Sequence, residues 1–133
     1  MTRTATRPVI VKQLPETCDK PQMRAFLRTL NAEMAKVVRP SVVLDCARIR
    51  QVNLQLLNFL LCCLEETMKR NGDVRLAAIP PDALSVLESA GVRHLFRIFG
   101  TSADAVNSFH RPALERMPQP YSPAQADSAA NAA

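Results

Sequence analysis

Apolar and polar positions along the middle of this chain alternate between the period of a strand and the period of a helix. Residues 8–14, PVIVKQL, are a short β-branched run and read as a strand. Met23, Phe26, Leu27, Leu30, Met34, Val37 and Val38 then recur at offsets 0, 3, 4, 7, 11, 14 and 15, which predicts an amphipathic helix over residues 21–38. Asp19 can cap that helix, Pro21 is tolerated in its first turn, and Arg39-Pro40 ends it. Val42-Val43-Leu44 is a continuous apolar run, as expected of a strand buried on both faces. Asn53 is a good N-cap for a strongly apolar helix over residues 54–70, and Asn71-Gly72 closes it with residues that tolerate the left-handed conformation. Residues 74–79 read as the next strand, stopped by Pro80-Pro81. Asp82 caps a short helix that Gly91 ends, and residues 95–99 read as a last strand. Thr101 or Ser102 starts a final helix through Phe109, with Asp104 near its positive end. Strands alternating with helices predict an α/β domain: a largely parallel or mixed sheet of four to five strands packed with four helices. Its crossovers are expected to be right-handed.

The pattern lapses at both ends. Residues 1–7 read as a flexible arm, residues 8–116 as one domain, and residues 117–133, MPQPYSPAQADSAANAA, as a disordered tail with nothing to bury. Apolar residues make up 47% of the chain, enough for a core. Tryptophan is absent and aromatics reach only 5%, so that core is aliphatic. The longest apolar stretch, residues 56–64, is broken by Asn58 and followed by Glu65-Glu66, too short to span a bilayer. The opening MTRTATRP lacks the apolar segment of a signal peptide, so a cytoplasmic protein is expected.

Candidate chemistry is sparse. Cys18, Cys46, Cys62 and Cys63 have neither zinc-knuckle nor C-x-x-C spacing, and adjacent Cys62 and Cys63 point to different sides of a helix. They read as reduced thiols, His94 and His110 stand apart from them, and no metal or cofactor is expected. The net charge of +5 raises the question of nucleic acid, but no Lys/Arg run and no aromatic interleaving supports it. The nearest thing to a basic patch is Arg39, Arg48 and Arg50, flanking one strand, which reads as a solvated edge. Asp45 is the one acid placed at a strand end and has no evident His or Ser partner. Cys46 beside it could serve as a nucleophile, but that position more often means packing. The three glycines lie at turns and helix ends, not in a phosphate loop, so the reading is that the chain is not an enzyme.

Residues 41–80 are the most informative stretch: strand, loop, long helix, stop, strand. The loop-to-helix junction is where such a unit usually carries its chemistry. Here it is Val52-Asn53-Leu54-Gln55, without hydroxyl, thiol, histidine or carboxylate. On a wheel turning about 100° per residue, Leu54, Leu56, Leu57, Leu60, Leu61, Cys63, Leu64 and Met68 form an apolar arc assigned to the sheet. Phe59 falls on the other arc, beside Gln55 and Cys62. Two readings stand: an outward Phe59 anchors a docking face with Arg50, Asn53, Leu54, Gln55 and Cys62, or it tucks under a neighbouring segment.

The order of these pieces resembles the STAS domain, the family of sulphate transporters and anti-sigma factor antagonists. The residues that carry the resemblance are Leu44-Asp45, Asn53-Leu54-Gln55-Leu56-Leu57, Asn71-Gly72, Val74-Arg75-Leu76, Ile79-Pro80-Pro81 and Val86-Leu87-Glu88-Ser89-Ala90-Gly91-Val92. They run without a gap through Leu95-Phe96-Arg97-Ile98 to the last helix. STAS domains usually open with two strands before the first helix, and this chain has residues for one. Regulated members place a phosphorylatable Ser or Thr where this chain has Leu54; Gln55 stands at the next Ser, Leu56 at the Gly and Asn53 at the preceding Asp. The next hydroxyl along the helix, Thr67, is far down the rod, so the switch is absent at this site. The resemblance implies a bacterial, cytoplasmic, non-catalytic module in signalling or transcription regulation. Its partner would be an anti-sigma factor or kinase-like protein, with any membrane contact made through a partner; a homodimer is left open. The alternatives are an accessory subunit of a membrane transporter, or a small-ligand module with an apolar site at Leu54 and Leu56.

Overall fold

In the computed structural model, which describes residues 8–110, the chain runs β1 (Val9–Gln13), α1 (Lys20–Met34), β2 (Ser41–Asp45), α2 (Leu54–Met68), β3 (Asp73–Ala77), α3 (Pro81–Ser89), a single 3-10 turn (Arg93–Leu95), β4 (Arg97–Phe99) and α4 (Ser102–Phe109). The expected arm, the expected tail and residues 111–116 lie outside the described residues. The strands pair in chain order, β1-β2-β3-β4, and every pairing is parallel. Val42 stands between Ile10 and Val74, and Leu44 between Lys12 and Leu76. The antiparallel strand of a mixed sheet does not occur among the described residues, in keeping with a helix in every crossover.

Strand side chains alternate between two unequal layers. Val42, Leu44, Val74 and Leu76 point to the thick layer, where Leu30 and Met34 of α1, Phe59 and Leu60 of α2, and Leu87 of α3 complete the main core. Val43 and Ala77 point the other way and meet Ala105 of α4, with Val9, Phe99, Val106 and Phe109 around them. Continuous burial of residues 41–44 is what the run Val42-Val43-Leu44 implied. The thin layer is incomplete: Val11 of β1 is 47% exposed.

A buried arginine sits in that thin layer. Arg75, on β3, is 8% exposed. Its Nε donates to Asp73 Oδ2 at 3.3 Å and its Nη1 donates to Ser108 Oγ. Ser108 in turn donates to the carbonyl of Ala105 at 2.6 Å, and the guanidinium carbon lies 3.9 Å from the centre of the Phe109 ring. One side chain thus ties β3 to the last turn of α4.

The helix signals were largely sound. Asp19 accepts from Gln22 N at 3.1 Å, and Thr101 accepts from Asp104 N at 3.0 Å. Asn71 takes the left-handed conformation after α2 (φ 58) and Gly91 takes it after α3 (φ 75). Gly72 answers a different need, since a Cβ there would sit 2.3 Å from the carbonyl oxygen of Pro40, the acceptor for Asp73 N at 3.0 Å.

Several boundaries differ from the sequence reading: α2 ends at Met68 rather than Arg70 and β3 runs Asp73–Ala77 rather than 74–79. α1 stops at Met34 because the chain tightens into three-residue turns, Lys36 N to Glu33 O and Val37 N to Met34 O, each 3.2 Å. That swings Val38 out to 87% exposure. Asp82 lies in the first turn of α3, while Pro80 occupies the cap position without a side-chain bond. Residues 93–95 form the 3-10 turn, so β4 begins at Arg97.

Candidate functional site

Parallel strands bring Gln13, Asp45 and Ala77 to one edge of the sheet, in register with one another. Open parallel sheets place their sites at this carboxyl edge. The segment between β2 and α2 is pinned there by backbone bonds. Cys46 N donates to Ala77 O at 2.8 Å, Ala47 N donates to Asp45 Oδ1 at 2.9 Å, and Ile49 N returns to Cys46 O at 3.2 Å. The carbonyl of Glu16 accepts from both Arg50 N, at 2.9 Å, and Gln51 N, at 3.3 Å. The Glu16 carboxylate lies 3.7 Å from Arg50 Nε and 3.8 Å from Arg48 Nη2. Exposed ion pairs of this length contribute about 0–1 kcal/mol, so the two amide-to-carbonyl bonds do most to fix the loop.

α2 starts on a firm cap. Asn53, in extended backbone, accepts from Leu56 N at 3.0 Å. Leu54, the first helical residue, is 72% exposed. Gln55 and Asn58 are also exposed, and Cys62 is half-buried. Arg50, Asn53, Leu54 and Gln55 therefore share one accessible corner of the domain.

Phe59 is not part of that corner. The docking reading placed it outward, but it has no exposure at all. Its ring packs edge-to-face on Phe26 of α1, with centroids 5.0 Å apart and planes at 84°. α1 lies alongside α2, so the buried arc of α2 is turned toward α1 and takes in Phe59 together with Leu56, Leu60 and Cys63. The same turn expels two residues assigned to the sheet, Leu54 and Met68, the latter 60% exposed. Leu56 is 2% exposed, so it cannot line an apolar ligand site beside Leu54. Thr67 is fully buried and donates to Cys63 O at 2.8 Å, away from any modifying enzyme.

The thiols beneath the site are quiet. Burial pushes Cys18 up to about 11, aided by the charge of Asp19, and pushes Cys46 up to about 12, aided by Asp45. Burial, with Cys62 adding to it, drives Cys63 upward as well. Cys46 has no exposure and donates weakly to Leu44 O at 3.5 Å, so it is not poised as a nucleophile. No group of three or more His, Cys, Asp or Glu suited to a metal ion occurs among the described residues. In the native protein near neutral pH, a thiol reagent is expected to label Cys62 alone at speed, and the other three only after unfolding. Mass spectrometry of the labelled peptides checks this; fast labelling of Cys18 or Cys46 would contradict their burial. For Cys18 and Cys46 the folded-state value lies above the ordinary 9.0, so the folded state holds the proton more tightly. The contribution of these two thiols to stability is therefore full below about pH 9 and is lost as pH climbs through about 11 to 12.

The three arginines that read as a solvated edge do not form one patch. Arg39 precedes β2 and Arg48 and Arg50 follow it, which puts them at opposite ends of a strand. What the sequence reading missed is a row on α1: Lys20, Arg24 and Arg28 are all exposed, at a spacing of four. That spacing was the available signal. A cavity of about 320 Å³, lined by Pro8, Val37, Val38, Arg39 and Pro40, opens at the amino end of the sheet, away from the α2 start. No helix among the described residues is long and apolar enough to cross a membrane.

Comparison with known proteins matches this arrangement to a family. A family model described as the STAS domain matches residues 5–105. Among solved structures, the chain is similar to an anti-sigma-factor antagonist (STAS) domain protein from Planctomyces limnophilus, with a TM-score of 0.66 at 15% identity, over 76% of this chain and 90% of that one. It is similar also to the protein TM1081, whose structure was determined by NMR, with a TM-score of 0.65 at 14% identity, over 76% of this chain and 81% of that one. Identities this low establish a shared fold. No curated protein gives a significant match.

Proposed function

We propose that this chain, which belongs to the STAS domain family, is a non-catalytic protein-interaction module of the anti-sigma factor antagonist kind, docking its partner on the amino end of α2. STAS domains are generally regulatory and bind protein partners, and the structural neighbour from Planctomyces limnophilus is named as an anti-sigma-factor antagonist. The observation that carries the reading is the 72% exposure of Leu54 on a capped, loop-clamped helix start. A large apolar side chain held out to water by rigid backbone loses little ordering entropy on binding, which favours association. Arg50, Asn53, Gln55 and Cys62 would frame it with polar contacts, while Phe59 supports the surface from below.

Leu54 has no hydroxyl, so a kinase finds nothing to modify at the position. A phosphate at a helix start would add charge and acceptor oxygens enough to reorganise a docking surface. Without one, phosphorylation at this position does not switch the surface.

Leu54→Asp is expected to weaken partner binding by at least about thirty-fold, the effect of losing an interface anchor. Thermal unfolding should barely move, because the side chain it replaces is already in water. Affinity purification with mass spectrometry would first identify the partner, and titration calorimetry with wild-type and variant protein would follow. Equal affinities would overturn the assignment of this surface.

A further inference from the structure

Resting on that docking reading, we infer that the outer surface of α1 joins the start of α2 to bind an acidic segment of a protein partner, with Lys20, Arg24 and Arg28 meeting its carboxylates and Leu54 its apolar anchor. Three residues at a spacing of four rise about 6 Å per step and drift about 40° around the axis, so they make a gently winding row on one side of the helix. Among the described residues none of the three has an ion-pair partner, nor do Lys36 and Arg39 beyond the far end of α1, whereas several cations elsewhere are engaged. Lys12 pairs with Glu33, Arg48 and Arg50 with Glu16, and Lys69 and Arg70 with Glu66. Asp19, the acid next to the row, is committed to capping α1.

The contacts of α1 with β1 and α2 fix which way the row faces. Glu33 marks the side of α1 turned to β1, through its 2.8 Å pair with Lys12. Phe26, on Phe59, and Met34, on Thr67, mark the side turned to α2. Going around α1 from Glu33 through Phe26 and Met34, the next outward positions are Lys20, Arg24 and Arg28. The row thus lies just beyond the α2 contact, on the α2 side of the outer surface. On α2, the outward positions next to Phe59 are Glu66, Gln55 and Cys62, with Leu54 and Asn58 on the crest; Glu66 lies two turns beyond Phe59 and is held by Lys69 and Arg70. Both helices follow parallel strands, so their amino ends share one edge of the sheet. Cationic row, amide side chains and exposed leucine form one continuous surface. Glu65 also faces outward, but about three turns further down α2.

The chemistry favours a protein. Single-stranded nucleic acid would need aromatic side chains to stack its bases, and this surface offers none. A basic helix that lies on an anionic membrane keeps an apolar face for the acyl boundary, whereas Leu30 and Met34 of α1 have no exposure. A partner helix with Asp or Glu at a spacing of four would match the row step for step and place a leucine or phenylalanine against Leu54.

An NMR titration of isotopically labelled full-length chain tests this. The probe is a synthetic helical peptide with Glu at every fourth position and one Leu between them, run against a Lys version, a short duplex DNA and phosphatidylserine vesicles. The acidic peptide is expected to shift the amides of Lys20, Arg24 and Arg28 together with those of residues 54–58. Arg24→Glu combined with Arg28→Glu should weaken it about tenfold or more, as should added salt, while the Lys version gains affinity for the variant. Shifts confined to residues 54–58 and unaffected by the double variant would overturn this inference and leave the docking reading standing. No response to the acidic peptide, or a stronger one to duplex DNA or vesicles, would overturn it as well. Leu54→Asp in the same titration reports on the docking reading separately, since it leaves the cationic row intact.

Discussion

Phe59→Ala is expected to cost the domain about 3–5 kcal/mol of stability, the usual range for truncating a fully buried aromatic ring. The ring has no exposure, and it loses an edge-to-face contact with Phe26 along with its burial. Such pairs are worth about 0.5–1.5 kcal/mol beyond area alone. Set against a total of about 5–15 kcal/mol for an ordinary domain, the loss would leave a population of unfolded chain visible without denaturant. Urea unfolding followed by circular dichroism reads it directly as a lowered midpoint. Phe59→Leu, which keeps most of the volume, should recover a large part. A docking residue would behave in the opposite way: unchanged midpoint and lost affinity. An unmoved midpoint for Phe59→Ala would therefore contradict the packing of α2 against α1, on which the orientation of the whole candidate surface depends.

That contrast shows where sequence reasoning reaches its limit. The run Val42-Val43-Leu44, the cap at Asn53, the Asn71-Gly72 stop and the Gly91 terminator were legible because each is a local requirement of backbone conformation or two-sided burial. The family follows from the order of those punctuators. The helical wheel put Phe59 on the polar arc and Leu54 on the apolar arc, and both depart from it for one shared reason, with Phe59 tucked against α1 as the second reading had it. A helical wheel shows how wide the apolar arc is, but the neighbours decide where its centre lies, and α1 shifts it toward Phe59. Leu54 then goes out because a first-turn residue at the sheet edge has nothing above it to meet. The row Lys20, Arg24, Arg28 was written in the sequence at helical spacing, yet its meaning depends on which cations find acids across the fold. Glu33 takes Lys12, Glu16 takes Arg48 and Arg50, and Glu66 takes Lys69 and Arg70, and no sequence pattern shows that.

Arg75 was hidden for a similar reason, because a strand position does not declare which layer covers it. Arg75→Ala is expected to lower stability by about 2–4 kcal/mol, combining a cavity under α4 with loss of a desolvated cation–π contact. Ser108 keeps its own bond to Ala105 O, so the variant leaves no orphaned hydroxyl there. Asp73, exposed at the strand start, can turn to water, so its lost ion pair adds little. The damage should therefore concentrate on the eight-residue α4, whose buried positions are only Ala105 and Ser108. Hydrogen exchange would show it, with α4 amides opening well before those of β2 and β3. Arg75→Met restores the volume without the charge and separates the two contributions: recovery of about half the loss assigns the remainder to the guanidinium on Phe109 and Ser108. If Arg75→Ala left α4 exchange at the wild-type rate, the arginine would not be what holds the thin layer on the sheet, and the apolar contacts of Ala105, Val106 and Phe109 would have to hold it alone.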